Sequence, residues 1–424
     1  MSFQNNKMLH YIQMAKKRGG MVLTILVMVM CITLILYSPL NSETQFKIPK
    51  KPEIDIPKKV DSIASIPPQI QTPVQVNNDD DKNNAKTPQV VAPENKVVEC
   101  PLYVFGDSLY DTGMSFYNSI GPRADSYPYG KTYFKRPAGR FSDGLLIPDF
   151  LAQLANLPFP EPYANPLLPE YTKAVNFANA AAGVLVDGRN YSLNLKMQTD
   201  YFVEMVGKMK EQYGKGKTKR ILEKAVLVFN IGSNDYTDIW IQNEKPLNST
   251  FVNAFVNKII GNFTVAITRM YNQGARKFAF QNYGPMGCLP LYLQPDGNCA
   301  EGLNDLAKLH NREFDAIAIT WARQMPGLKY IVYDFYTALT ARLLNGPKYD
   351  FKETKTACCG SGRFHAKFTC MEKANFTLCD DIPSHLFFDP AHTTQRGNLQ
   401  FAKEFWSGPP RLVKPYNMKT LCEL

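Results

Sequence analysis

Val104-Phe105-Gly106-Asp107-Ser108-Leu109-Tyr110-Asp111-Thr112-Gly113 is the stretch on which the reading of this chain turns. The apolar run at 102–105 predicts a buried strand, and it stops at a Gly-Asp-Ser turn. A serine just past the C-terminal end of a parallel strand stands where α/β folds gather ligands and chemistry. The same residues also suit a capped turn, because Asp and Ser oxygens satisfy free backbone N–H groups. The rest of the chain decides between the two.

Downstream, short apolar runs alternate with helical stretches. Candidate strands lie at 174–177, 225–231, 277–281 and 330–334, and candidate helices at 146–154, 195–213, 250–272 and 303–323. The last helix carries apolar residues at the helical period: Leu303, Leu306, Leu309, Phe314, Ile317 and Trp321. Strands separated by helices predict an α/β fold with a parallel sheet covered on both faces, and the strand count favours one domain over two. A hydrophobic content of 45% supports a sizeable core. The net charge of +10 is a weak pointer to nucleic acid. No Lys/Arg stripe interleaved with aromatics accompanies it, so no nucleic-acid partner is expected.

Upstream, residues 20–37 form an apolar run without charge, preceded by Lys16, Lys17 and Arg18. At about 1.5 Å per residue the run nearly spans a hydrocarbon layer. The basic segment 1–19 is expected to stay cytosolic, which makes the remainder lumenal or extracellular. A signal anchor is preferred, giving a single-pass type II membrane protein of the Golgi or cell surface. The alternative is a cleaved signal peptide and a secreted protein. Residues 38–98 are rich in Pro, Lys, Asp, Asn and Gln and nearly free of aromatics, which predicts a disordered stem. A cleavable pro-segment is the other reading of that stretch. The folded region is expected at 99–424. It holds four Asn-x-Ser/Thr sequons, at Asn190, Asn248, Asn262 and Asn375. Its eight cysteines are even in number, consistent with disulfides in an oxidising compartment. Cys288 and Cys299 are placed to close a small loop, Cys358, Cys359, Cys370 and Cys379 cluster late, and Cys100 and Cys422 are placed to tie the two ends together. The connectivity is not readable from sequence. A zinc site is disfavoured, because adjacent Cys358-Cys359 lacks the usual two-residue spacer; no metal or other cofactor is expected.

A serine nucleophile needs a base, and the base needs an orienting acid. Four histidines follow the stem. His310 falls inside a helix, His365 in the cysteine-rich loop and His385 beside an apolar run, so each has a structural reading. His392 lies three residues after Asp389, behind Phe387-Phe388. That spacing lets a carboxylate face the imidazole, although Asp389 also suits a helix N-cap. Donors for a developing oxyanion are expected from two patches. One is Gly232-Ser233-Asn234-Asp235, beyond the 225–231 strand, where the Asn234 amide can donate. The other is 175–183, ending in Ala180-Ala181-Ala182-Gly183, where small residues allow close backbone approach. An ordinary turn and close packing, respectively, are the plainer readings of these two patches.

Taken together these blocks resemble a plant-type GDSL esterase/lipase of the SGNH hydrolase superfamily. Phe105-Gly106-Asp107-Ser108-Leu109 with Asp111-Thr112-Gly113 is similar to that family's first block, Gly232-Ser233-Asn234-Asp235 to its third and Asp389-Pro390-Ala391-His392 to its last. The stretches Pro137-Ala138-Gly139-Arg140-Phe141-Ser142-Asp143-Gly144 and Gly284-Pro285-Met286-Gly287-Cys288-Leu289-Pro290 also resemble plant members. The resemblance implies a flavodoxin-like three-layer α/β/α sandwich and a carboxylic ester hydrolase working without a metal. It implies Ser108 as nucleophile, His392 as base and Asp389 as its partner. The oxyanion hole would then come from Ser108, Gly183 and Asn234. The alanine-rich second block departs from the family pattern, as does Met114 after Asp-Thr-Gly. The expected substrate is an ester, either a lipid or an O-acetylated polysaccharide. An acyltransferase using the same serine and a catalytically silent binding protein are the alternatives.

Overall fold

The computed structural model describes residues 100–168, 170–185, 192–243, 247–371 and 376–424. The expected anchor at 20–37, the stem at 38–98 and the sequons at Asn190 and Asn375 lie outside the described residues.

The central sheet is built from β1 (Leu102–Gly106), β2 (Glu161–Pro162), β3 (Ala174–Asn176), β4 (Val226–Asn230), β5 (Lys277–Gln281), β6 (Lys329–Tyr333) and β9 (Val413–Lys414). Their spatial order is β2-β3-β1-β4-β5-β6-β9. Every pairing is parallel except that of β6 with β9. A separate antiparallel pair joins β7 (Cys359–Gly360) to β8 (Thr377–Leu378). From β1 the chain visits β2 and β3 on one side and then crosses to β4, β5, β6 and β9 on the other, so the neighbours of β1 bracket a switch point, where doubly wound sheets open a crevice at the carboxyl ends of their strands.

Strand alternation sorts the core into two faces. Tyr103 and Phe105 of β1 join Val175, Leu227, Phe229, Phe278 and Phe280 on one side. There they pack under α3 (Leu195–Tyr213), α6 (Ser249–Gln273) and α7 (Glu301–Gln324). Leu102 and Val104 face the other way, with Val226, Val228, Ala279 and Ile331. That side is covered by α2 (Ile147–Leu154), α8 (Phe335–Leu344), α9 (Gln395–Ser407) and α10 (Met418–Glu423). The result is the three-layer α/β/α sandwich expected from the sequence. Phe105 is fully buried between the rings of Phe177 and Phe229, at 5.0 and 4.8 Å. Truncating such a side chain to alanine costs about 3–5 kcal/mol.

The helices start where the sequence supplies caps. Asn194, Asn248 and Thr394 each accept a backbone N–H of the first turn, opening α3, α6 and α9. Among the described residues α6 is the one helix long and apolar enough to cross a membrane. It nonetheless buries Val256, Ile259, Phe263 and Ile267 in the core of the domain.

All eight described cysteines are paired: Cys100–Cys422, Cys288–Cys299, Cys358–Cys379 and Cys359–Cys370. The two cysteine clusters that come close enough to a third ligand to suggest a metal are made of these bonded sulfurs, which are not thiolates.

Candidate active site

The first element of the site is the turn after β1. Asp107 donates its N–H to the Asn230 carbonyl at 3.1 Å, and its own carbonyl accepts from Tyr110 and Asp111 at 3.1 and 2.9 Å. Its carboxylate accepts the Leu109 N–H at 3.0 Å and the Ser233 hydroxyl at 3.1 Å. The capped-turn reading of this stretch is therefore physically present. It coexists with the access that a reacting serine needs, because the turn leaves Ser108 half-exposed at the carboxyl end of the sheet.

Ser108 Oγ lies 2.7 Å from His392 Nε2. On the far side of the ring, Nδ1 lies 2.7 and 2.8 Å from the two oxygens of Asp389. The two residues sit on a tight loop, closed by a bridge between Phe387 and Thr393 and by the Phe388 N–H to His392 carbonyl bond. Asp389 is not the cap of the following helix; Thr394 is. Instead Asp389 Oδ1 accepts the backbone N–H groups of Ala391 and His392, both at 2.9 Å, and Oδ2 accepts the Tyr129 hydroxyl at 2.8 Å. Burial acts to raise the Asp389 carboxyl. The charge and hydrogen bond of His392, with the Ala391 N–H and Tyr129 donors, outweigh it and hold the group below the usual carboxylate value. The Phe141 ring packs 4.9 Å from the imidazole.

Asn234 occupies the first turn of α5 (Ser233–Gln242), directly after β4. Gly232 at its start has φ +113, and a Cβ there would meet the Tyr283 hydroxyl at 2.1 Å. The Asn234 amide donates to the Ala182 carbonyl at 2.9 Å and approaches the Asp107 carboxylate at 3.5 Å. Ser108, Asn234 and His392 line one cavity of about 90 Å³. Its apolar wall comes from Met286, Leu289, Phe335 and Leu339, and its polar wall from Asn230, Ser233, Asn234 and Thr237.

Gly183 is not brought into that lining. It packs against the Asp235 carboxylate, where a Cβ would lie 2.8 Å from both oxygens. Asp235 in turn accepts the N–H groups of Val184 and Leu185 at 2.8 and 3.1 Å. Close packing therefore accounts for this glycine. His310 also takes its structural reading: it is buried on α7, hydrogen-bonded to Tyr236 at 2.8 Å and stacked on Tyr283 at 4.1 Å. Burial pushes its imidazole down to about 3.

Sequence reasoning missed the residues that hold the turns together. The buried Asp111 carboxylate gathers the N–H groups of Gly113 and Met114 and the Ser115 hydroxyl, and reaches across to the Ala180 N–H at 2.9 Å. Gln198 brackets Gly106, accepting its N–H at 2.9 Å and donating to its carbonyl at 2.8 Å. Asp111 had a signal, a carboxylate two residues before a glycine in a turn; Gln198 had none, being one polar position inside an amphipathic helix.

Residues 102–405 match the family described as GDSL-like lipase/acylhydrolase. Over 349 residues the chain is 38% identical to GDSL esterase/lipase 4 of Arabidopsis thaliana, covering 78% of this chain and 92% of that relative. It is 36% identical over 327 residues to the GDSL lipase of Tanacetum cinerariifolium, covering 76% and 87%. It is also 33% identical over 330 residues to inactive GDSL esterase/lipase-like protein 25 of Arabidopsis thaliana, covering 76% and 75%. The chain belongs to the plant-type GDSL esterase/lipases and is a serine ester hydrolase.

Proposed function

We propose that the chain hydrolyses carboxylic esters through an acyl-enzyme on Ser108. The observation that carries this reading is the unbroken line from Ser108 Oγ through His392 to the Asp389 carboxylate. His392 Nε2 takes the hydroxyl proton as Oγ attacks the ester carbonyl. Asp389 fixes the tautomer at Nδ1 and stabilises the imidazolium. The tetrahedral intermediate collapses, His392 returns the proton to the leaving alcohol, and the acyl group stays on Oγ. A water then repeats the sequence and releases the acid. The oxyanion is held by the Ser108 N–H and the Asn234 amide, which exchanges its long contact with Asp107 for the substrate oxygen. Gly183, the third expected donor, does not line the cavity with Ser108 and Asn234, so the hole is assigned to those two.

The apolar wall of Met286, Leu289, Phe335 and Leu339 favours a lipid-type acyl chain over acetate. The four disulfides support an oxidising compartment, and hence the secretory pathway or the cell wall. Of the two described sequons, Asn248 suits glycosylation better. It is exposed and caps α6 through Oδ1, leaving Nδ2 to carry a sugar. Asn262 is half-buried within the helix and donates Nδ2 to the Lys258 carbonyl at 2.9 Å.

A panel of p-nitrophenyl esters from acetate to palmitate, with O-acetylated xylan beside it, tests the proposal. The expected result is hydrolysis peaking above acetate and lost in Ser108→Ala. Full activity in Ser108→Ala would overturn the mechanism, and turnover confined to acetyl groups would overturn the acyl assignment.

A further inference from the structure

Asp389 has one partner that neither the local loop nor His392 explains. Tyr129 lies 260 positions away in sequence, yet its hydroxyl donates to Asp389 Oδ2 at 2.8 Å. The phenol is 1% exposed. Its ring meets Phe141 and Phe388 edge-on at 5.7 and 5.4 Å, so its orientation is set by packing. Phe141 itself packs on the His392 imidazole, and Phe388 immediately precedes Asp389. The backbone around Tyr129 is held too: its N–H donates to the Ser126 carbonyl, and the Gly130 N–H to Ser142. A single buried hydroxyl, aimed by two packed rings, thus meets the carboxylate oxygen opposite the one that takes the loop's two N–H groups.

We propose that Tyr129 is a positioning residue of the catalytic triad, setting the orientation and the charge of the Asp389 carboxylate that faces His392. The proposal rests on the acyl-enzyme reading above. Without the Tyr129 hydroxyl on Oδ2, the carboxylate can rock about its Cβ–Cγ bond and lose the placement that brings both oxygens to Nδ1. The Tyr129 hydrogen bond, together with the Ala391 and His392 N–H groups on Oδ1, removes that freedom. It also draws negative charge away from the imidazole, which limits how strongly Asp389 favours the imidazolium. Among the described residues, His392 and Tyr129 are the titratable groups hydrogen-bonded to Asp389. The neighbouring charges are engaged elsewhere: Asp107 with Ser233, Asp143 with the Gln395 N–H and Arg140 with Asp149.

Tyr129→Phe keeps the ring and removes only the hydroxyl. With a p-nitrophenyl ester, kcat should fall roughly tenfold with KM little changed. The acid limb of kcat/KM should move to higher pH, because the carboxylate keeps more charge for the imidazolium. A purely structural role would lower thermal stability and leave the pH limb in place. Wild-type kcat with an unmoved limb overturns the proposal. Asp389→Asn, run beside it, separates the two failures: if it is inactive while Tyr129→Phe is wild-type, only the Tyr129 role falls; if it too is fully active, the triad reading falls. Should Tyr129→Phe fold poorly, site-specific incorporation of a ring-fluorinated tyrosine at position 129 serves instead. A more acidic phenol donates more strongly, so the limb should move to lower pH; an unmoved limb again overturns the proposal.

Discussion

The two halves of the site are held by different means. Ser108 and Asn234 stand at the carboxyl ends of adjacent parallel strands, β1 and β4, on a sheet buried on both faces. His392 and Asp389 stand on a loop bounded by the Phe387–Thr393 bridge rather than at the end of a strand of the central sheet. That loop leans on the cysteine-rich segment, where Cys358 and Cys359 donate their N–H groups to the carbonyls of Phe387 and Phe388 at 3.0 and 2.7 Å. On its other side the 142–145 segment holds it, with the Ser142 hydroxyl on the Thr393 carbonyl and the Gln395 N–H on Asp143. The strand ends of a buried sheet hold Ser108, while disulfides and long-range polar contacts add to the packing that holds His392. Conditions that spare the core and cut the cross-links should therefore disarm the enzyme before unfolding it.

The largest effects belong to the groups in line. Asp389→Asn leaves the packing but presents the wrong hydrogen-bonding partner to Nδ1, and kcat should fall by about 10³–10⁴. Circular dichroism should stay unchanged, and an activity loss under tenfold would remove Asp389 from the line. On the sheet-held half, Asn234→Ala should cost about 10²–10³ in kcat, as the loss of one oxyanion donor does. A KM effect alone would assign Asn234 to ground-state binding.

Disulfide removal separates the halves most cleanly. Cys359→Ser with Cys370→Ser opens a loop of 11 residues, costing about 3 kcal/mol, and should lower kcat along with stability. Cys100→Ser with Cys422→Ser releases a span of 322 residues, costing about 6 kcal/mol, yet should leave kcat at temperatures below unfolding unchanged. Equal effects of the two pairs on kcat would erase the distinction.

The effect smallest in activity is a slope of stability in pH. His310 lies beneath the sheet-held half and is pushed down to about 3 from an ordinary 6.5. Below pH 6.5 the unfolded chain takes up a proton that the folded chain refuses. Stability is therefore full above that value and lost as pH falls toward 3, by up to about 1.4 kcal/mol per unit. Denaturant titrations of wild type and His310→Gln between pH 6 and 4 should show the steeper fall in wild type. Parallel slopes would mean that the buried imidazole accepts its proton while folded.

This division also explains what could be read from the amino-acid sequence. The sheet, its order of strands and helices, and Ser108 and Asn234 beyond strand ends were legible, because apolar periodicity and turn residues are local signals. Asp389 and His392 were legible as a spaced pair within a recognisable block. The Tyr129 contact was not, because a tyrosine in a loop carries no mark of the partner that folding brings to it. Gly183 was expected as a donor because the resemblance implies a glycine N–H from the second block. The contact that requires it comes from Asp235, 52 positions on. Disulfide pairing stayed open for the same reason, since connectivity is a property of the folded chain.

Reaction of the full chain with a fluorophosphonate ester, followed by peptide mass mapping, decides whether Ser108 is the nucleophile. One adduct per chain is expected, on the peptide carrying Ser108, forming at least ~10²-fold more slowly in Asp389→Asn because the oriented base activates the serine. An adduct on another residue, or equal labelling rates in the two proteins, would contradict it.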